Sequence, residues 1–100
     1  MSQTEKRQLF DFLASLHTGE EIETLLRDLC TDKEIEYMAQ RLECARLLLR
    51  GKTYQQASQL VSVSSATMSR VNRCVRYGGG GYSKLLAQFV QETEDGNESK

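Results

Sequence analysis

Three arginines, Arg70, Arg73 and Arg76, recur at intervals of three residues. On a helix that spacing gathers them along one edge. The six residues before them, Ser64-Ser65-Ala66-Thr67-Met68-Ser69, are mostly short, and four carry hydroxyls. A cationic edge neutralises phosphates. Short side chains let a helix backbone approach base edges inside a groove about 12 Å wide. Hydroxyls and the free N–H groups of a helix start bind phosphate oxygens. Lys52 lies upstream, before a second short helical pattern that holds Gln55 and Ser58. Taken alone, an arginine row is also an ordinary solvated helix face. Joined to a hydroxyl-rich start and a preceding tight turn, it points to double-stranded nucleic acid.

Other chemistries have little to work with. His17 is the sole histidine, and it reads as a favourable charge near a helix C-terminus. Cys30, Cys44 and Cys74 are odd in number and widely spaced. They suggest neither a disulfide framework nor a zinc site, and read as buried, reduced residues. Residues 78–81 are four glycines without the lysine-hydroxyl end of a phosphate loop. No catalytic residues, metal or cofactor are expected. A hydrolase or redox enzyme would need a nucleophile beside a base, and the pattern supplies none.

The formal net charge of -1 hides a strong asymmetry. Residues 1–36 carry -5, residues 37–90 carry +7 and residues 91–100 carry -3. A basic middle between acidic ends fits a polyanionic partner. The longest apolar run is Leu47-Leu48-Leu49, too short for a membrane span, and no stretch of signal-peptide type opens the chain. A cytoplasmic location is expected.

These residues need elements to position them. The apolar periodicity is helical throughout, and no segment alternates as a strand does. Four capping boxes mark helix starts: Ser2 with Glu5, Thr18 with Glu21, Thr31 with Glu34, and Thr53 with Gln56. The third opens a long helix with Ile35, Met38, Leu42, Ala45 and Leu49 in a long apolar stripe, closed by Gly51. The fourth opens a short helix holding Ala57, Leu60 and Val61. A turn at Ser62-Val63-Ser64 leads to a fifth helix on a Ser64 or Ser65 cap, with Met68, Val71 and Val75 inward. Ser62 occupies the turn position that usually holds glycine, which predicts a left-handed serine costing about 1 kcal/mol. Tyr54 serves either packing or a phosphate contact. The glycine run acts as a hinge, and a sixth helix covers about residues 82–92. The reading is all-α: about six short helices around a central helix-turn-helix, forming one domain over residues 1–93, with a disordered acidic tail at 94–100. Helices 1, 2 and 6 are amphipathic in a chain too small to bury every apolar face, so a second subunit is expected.

Residues 29–75 resemble the Trp-repressor superfamily, and more closely its YerC/YecD-type branch. The resemblance rests on Thr31-Asp32, Arg41-Leu42, Leu48-Leu49-Arg50-Gly51 and the string from Ala66 through Thr67-Met68-Ser69-Arg70-Val71-Asn72-Arg73 to Cys74. The connector from Tyr77-Gly78 to Gly81-Tyr82 is similar as well, and the likeness extends over about residues 5–90. It implies an intertwined homodimer and a transcriptional regulator. The two helix-turn-helix units would enter successive major grooves about 34 Å apart. By motif position, Gln55, Ser58, Ser65, Ala66, Thr67, Ser69 and Arg70 would face DNA. Lys52, Ser64, Arg73 and Arg76 complete the expected interface. The rival reading is a helical protein-interaction module without DNA binding.

The resemblance also implies a ligand pocket. In the family's tryptophan binders two arginines flank the ligand and a threonine lies near its carboxylate, matching Arg41, Arg70 and Thr31 here. Glycine follows the second arginine in those proteins, whereas this chain has Val71. Cys74 replaces a serine that receives the ligand's amine. A small amino-acid-like effector remains open; tryptophan is not expected.

Overall fold

The computed structural model describes the backbone of residues 3–98 and the side chains of residues 3–93. Among these residues all regular structure is helical. In chain order the elements are α1 (Gln3–Ser15), α2 (Gly19–Leu29), α3 (Asp32–Leu49), α4 (Tyr54–Leu60), α5 (Ser65–Tyr77), a π-helical segment (Gly81–Leu86) and α6 (Ala87–Glu98).

Local side-chain chemistry sets most of the helix starts. The Thr18 and Thr53 hydroxyls accept the N–H groups of Glu21 and Gln56, and both reciprocal bonds of each capping box form. At α3 the Glu34 N–H donates to Thr31 Oγ1 at 3.1 Å, and the Thr31 N–H donates to Glu34 Oε1 at 2.7 Å. Hydrogen bonding from the Thr31 backbone N–H, and secondarily from its side chain, holds the Glu34 carboxyl below its ordinary pKa. Ser64, rather than Ser65, caps α5. The first expected box starts at Ser2, which lies outside the described residues.

Two compact units divide the chain, residues 1–36 and 37–100, where the sequence reads as one domain. The first unit contains α1, α2 and the first turn of α3. None of its described residues is buried. Phe10 and Phe12 are each 51% exposed and Leu29 is 55% exposed. The apolar faces expected of α1 and α2 are present, but nothing within the unit encloses them.

The second unit has a core of Cys44, Ala45, Leu47, Ala57, Val61, Met68 and Val71, with Leu48, Val63, Val75, Tyr82 and Leu86 packed against it. The expected inward residues of α5 are thus in place. The apolar stripe of α3 is only partly enclosed. Of its five residues only Ala45 is buried, while Leu42 is 49% exposed. The face that packs is that of Cys44, Ala45, Leu47 and Leu48, which share one core with Ala57, Val61, Met68 and Val71. Burial raises the Cys44 thiol pKa, and the neighbouring Glu43 charge adds to the effect. Cys44 is therefore an inert core residue. Cys30 and Cys74 are only half-buried, contrary to the expectation for all three.

Three connections differ from, or sharpen, the sequence expectation. The turn between α4 and α5 contains no left-handed residue: among the described residues, positive φ occurs only at glycine. Val61 is extended, and the Val63 N–H donates to the Val61 carbonyl at 3.1 Å. That is a γ-turn centred on Ser62, and the strain expected at this serine is absent. After α3, Gly51 takes φ +92°, as expected of a glycine closing a helix. The Lys52 N–H reaches the Leu47 carbonyl and the Gly51 N–H reaches that of Leu48, both at 3.1 Å, completing a Schellman motif.

The third difference follows the glycine run. Gly80 is left-handed at φ +103°, and its carbonyl accepts both Lys84 and Leu85 N–H groups. The second bond widens the helix into a π turn before α6 begins. Helical backbone then continues through Glu98, past residue 94, where the sequence reads a tail. No proline interrupts it, and Gly96 costs a helix only about 1 kcal/mol. Residues 99 and 100 lie outside the described residues.

Nothing lies within 4 Å of a Cβ added at Gly51, so only its backbone angle resists substitution. Gly51→Ala should destabilise the protein by about 1 kcal/mol. Urea unfolding of the two proteins checks this; unchanged stability would contradict the Schellman assignment.

Candidate nucleic-acid interface

Helices α4 and α5 are joined by only four residues and are fixed by the buried Ala57, Val61, Met68 and Val71. Their relative position is also set by Tyr54. Its hydroxyl donates to the Ser65 carbonyl at 3.3 Å and lies 3.2 Å from Ser69 Oγ. Tyr54 is thus a positioning residue, which sequence spacing left undecided.

The hydroxyls divide into engaged and open groups. Ser64 Oγ accepts the Thr67 N–H at 3.1 Å and donates to Thr67 Oγ1 at 3.0 Å. Thr67 is half-buried, and its hydroxyl is occupied by the cap. Ser58 Oγ donates to the Gln55 carbonyl of its own helix. Ser69 is taken by Tyr54. The Ser65 hydroxyl, the Gln55 amide and the Ala66 methyl are exposed, with no side-chain hydrogen bond among the described residues.

The charges divide in the same way. Glu43 is the only acidic residue in positions 37–90. Arg46 grips it through two bonds of 2.6 and 2.8 Å, and this holds the Glu43 carboxyl below its ordinary pKa. No other carboxylate in that stretch is left to neutralise Lys52, Arg41, Arg70 or Arg73. All four are exposed and have no ion pair among the described residues. Arg76 donates only to the neutral Asn72 amide at 3.3 Å.

Two cavities open beside α5. One, of about 350 Å³, is lined by Arg41, Ala66, Thr67, Arg70, Val71, Cys74 and Tyr82. The other, of about 310 Å³, lies between α3 and the γ-turn and also includes Arg41 and Thr67. Arg41 and Arg70 therefore line one cavity. Thr31 is not part of that lining; in the first unit it caps α3. Tyr82, which the sequence did not single out, forms a wall.

The family model of the Trp repressor protein matches residues 4–90. The chain belongs to the Trp-repressor family. Its relatives extend over nearly the whole length. YerC of Bacillus subtilis (strain 168) is 45% identical over 93 residues, covering 93% of this chain and 88% of that protein. A TrpR-like protein of Eubacterium eligens ATCC 27750 superposes with a TM-score of 0.80 at 34% identity, covering 88% of this chain and 91% of that one. A Trp-repressor candidate from Staphylococcus aureus gives 0.77 at 35% identity, with 89% and 95% covered. Membership in this family of regulators separates the chain from enzymes. It also identifies the α4–turn–α5 unit as the family's helix-turn-helix.

Tyr54→Phe removes both hydroxyl bonds and leaves the ring. It should destabilise the α4–α5 unit by about 0.5–1 kcal/mol. Amide exchange should quicken in the first turns of α5; unaltered exchange there would show that Tyr54 does not fix the helix.

Proposed function

We propose that the chain is a sequence-specific DNA-binding transcriptional regulator, acting as a repressor on a palindromic operator as a homodimer in the cytoplasm. The observation that carries this reading is the helix-turn-helix whose exposed α5 surface combines open polar groups with unpaired arginines. Gln55, Ser65 and Ala66 are the groups for base readout. Lys52, Arg70, Arg73 and Arg76 supply phosphate contacts. Ser64, Thr67 and Ser69 present the α5 backbone through their internal bonds, while Ser58 lies on the same exposed surface of α4.

The homodimer reading rests on the first unit. Helices with apolar faces and no buried residue need a covering surface to be stable in water. A second copy of the chain supplies one, and two-fold symmetry then makes the operator palindromic.

Random-oligonucleotide selection with the purified protein should return a palindrome with half-sites about one helical turn apart. If four cations act from each subunit, about eight phosphates are neutralised, and log affinity should fall with log salt at a slope no steeper than about -7. Arg73→Ala should weaken all sequences alike, whereas Ser65→Ala should change the selected base. Failure to enrich any duplex would favour a protein-interaction module instead.

The cavity at Arg41 and Arg70 supports an anionic effector. Val71 is 2% exposed and fills the space beneath it. No carboxylate lines the cavity to receive an ammonium group. Tryptophan should therefore give no micromolar heat signal in isothermal titration; such a signal would overturn this reading of Val71.

A further inference from the structure

The arginines of this chain differ in what holds them. Arg7, Arg27 and Arg46 are each gripped through Nε by a carboxylate, those of Asp11, Glu23 and Glu43. Arg76 is gripped through the same atom, but by the neutral amide oxygen of Asn72, at 3.3 Å. The arrangement matches that of Glu23 and Arg27, with the acceptor four residues before the arginine. The geometry is kept and the charge is changed. A carboxylate neutralises the guanidinium it holds, and an amide does not.

The bond leaves the guanidinium usable. It occupies Nε, so the two terminal amino groups of Arg76 are left to meet a phosphate in bidentate fashion. Asn72 is half-buried and Arg76 is exposed, so the amide is the better anchored of the pair. Position on the helix adds direction. Ser65, Ser69, Asn72 and Arg76 follow at i, i+4, i+7 and i+11 and share one face of α5. Tyr54 ties the first two to α4. Arg76 thus extends the stripe that begins at the open Ser65 hydroxyl. Arg70 and Arg73 lie to one side of it, with no side-chain holder among the described residues.

We propose that Asn72 is a positioning residue for DNA binding: it presets the Arg76 guanidinium for a phosphate without consuming its charge. This rests on the reading of Arg76 as a phosphate contact and adds the group that aims it. A free arginine gives up rotamer freedom when it binds, and one already held gives up less. An aspartate at position 72 would hold Arg76 equally well and cancel the cation.

Fluorescence anisotropy of the full chain with a labelled random-sequence duplex, over a range of salt, tests the proposal, because phosphate contacts do not depend on sequence. Arg76→Ala should flatten the log–log salt slope by about 2, from about 0.9 per contact in each of two subunits. Asn72→Ala should keep the slope and weaken binding about tenfold, about threefold from each subunit. Alanine is the better helix former, so the unfolding temperature should not fall. Asn72→Asp should flatten the slope as Arg76→Ala does. In an Arg76→Ala background, Asn72→Ala should have no further effect. A further loss in that background would give Asn72 a structural role or a contact of its own and overturn the proposal. Unaltered affinity in Asn72→Ala, or an unaltered slope in Asn72→Asp, would equally overturn it. An unaltered slope in Arg76→Ala would overturn it while leaving DNA binding intact. No duplex binding by the unsubstituted chain would overturn both readings.

Discussion

The second unit depends on one side-chain core to which three helices contribute. Cys44 and Ala45 of α3 and Ala57 of α4 are fully enclosed. Larger residues at these fully enclosed points would have to displace their neighbours, since interiors are packed nearly as densely as organic crystals. The close fit leaves Met68 and Val71 of α5 to fill the remaining space. It thereby fixes the helix that carries the arginines. The core is small, and polar bonds reinforce this unit where apolar area is scarce: the capping box at Thr53, the Tyr54 hydroxyl and the Schellman bonds after α3 all hold helix ends.

What could be read from the sequence follows the range of each interaction. Capping boxes join residues three apart, so Thr18, Thr31 and Thr53 announced their helices directly. Gly51 did the same, because a left-handed residue after a helix favours glycine. Tyr54 and Ser69 are fifteen residues apart, and no local pattern pairs them. The packed face of α3 was not legible for a related reason. Periodicity reveals apolar stripes, but α3 carries two, and only the tertiary contacts decide which one meets α4 and α5. The π turn was equally hidden, since it arises from one carbonyl accepting two N–H groups beyond a flexible run. In the candidate site, the arginines and hydroxyls were legible as types. Their division into engaged and open groups was not, because it depends on which partner each side chain reaches in space.

Charge and fold are divided at the same place. The acidic stretch ends at residue 36, where the first compact unit also ends. Residues 37–90 then contain one carboxylate, and Arg46 occupies it. The unpaired arginines beside α5 are a consequence of composition as much as of geometry. Without a second acidic residue in that stretch, no rearrangement within it can neutralise them.

The γ-turn at Ser62 bears on how freely this chain can vary. Helix-turn-helix units whose turn passes through left-handed space are confined largely to glycine at that position. Here Val61 is extended and Val63 closes the turn onto it, so position 62 needs only an ordinary negative φ. Side chains of many shapes are compatible with such a backbone. The turn is therefore open to drift that a glycine-dependent turn would forbid, and Ser62 is exposed to solvent, with no core contact to restrict it. A search pattern that demands glycine between the two helices would pass over this protein, although its recognition unit is complete.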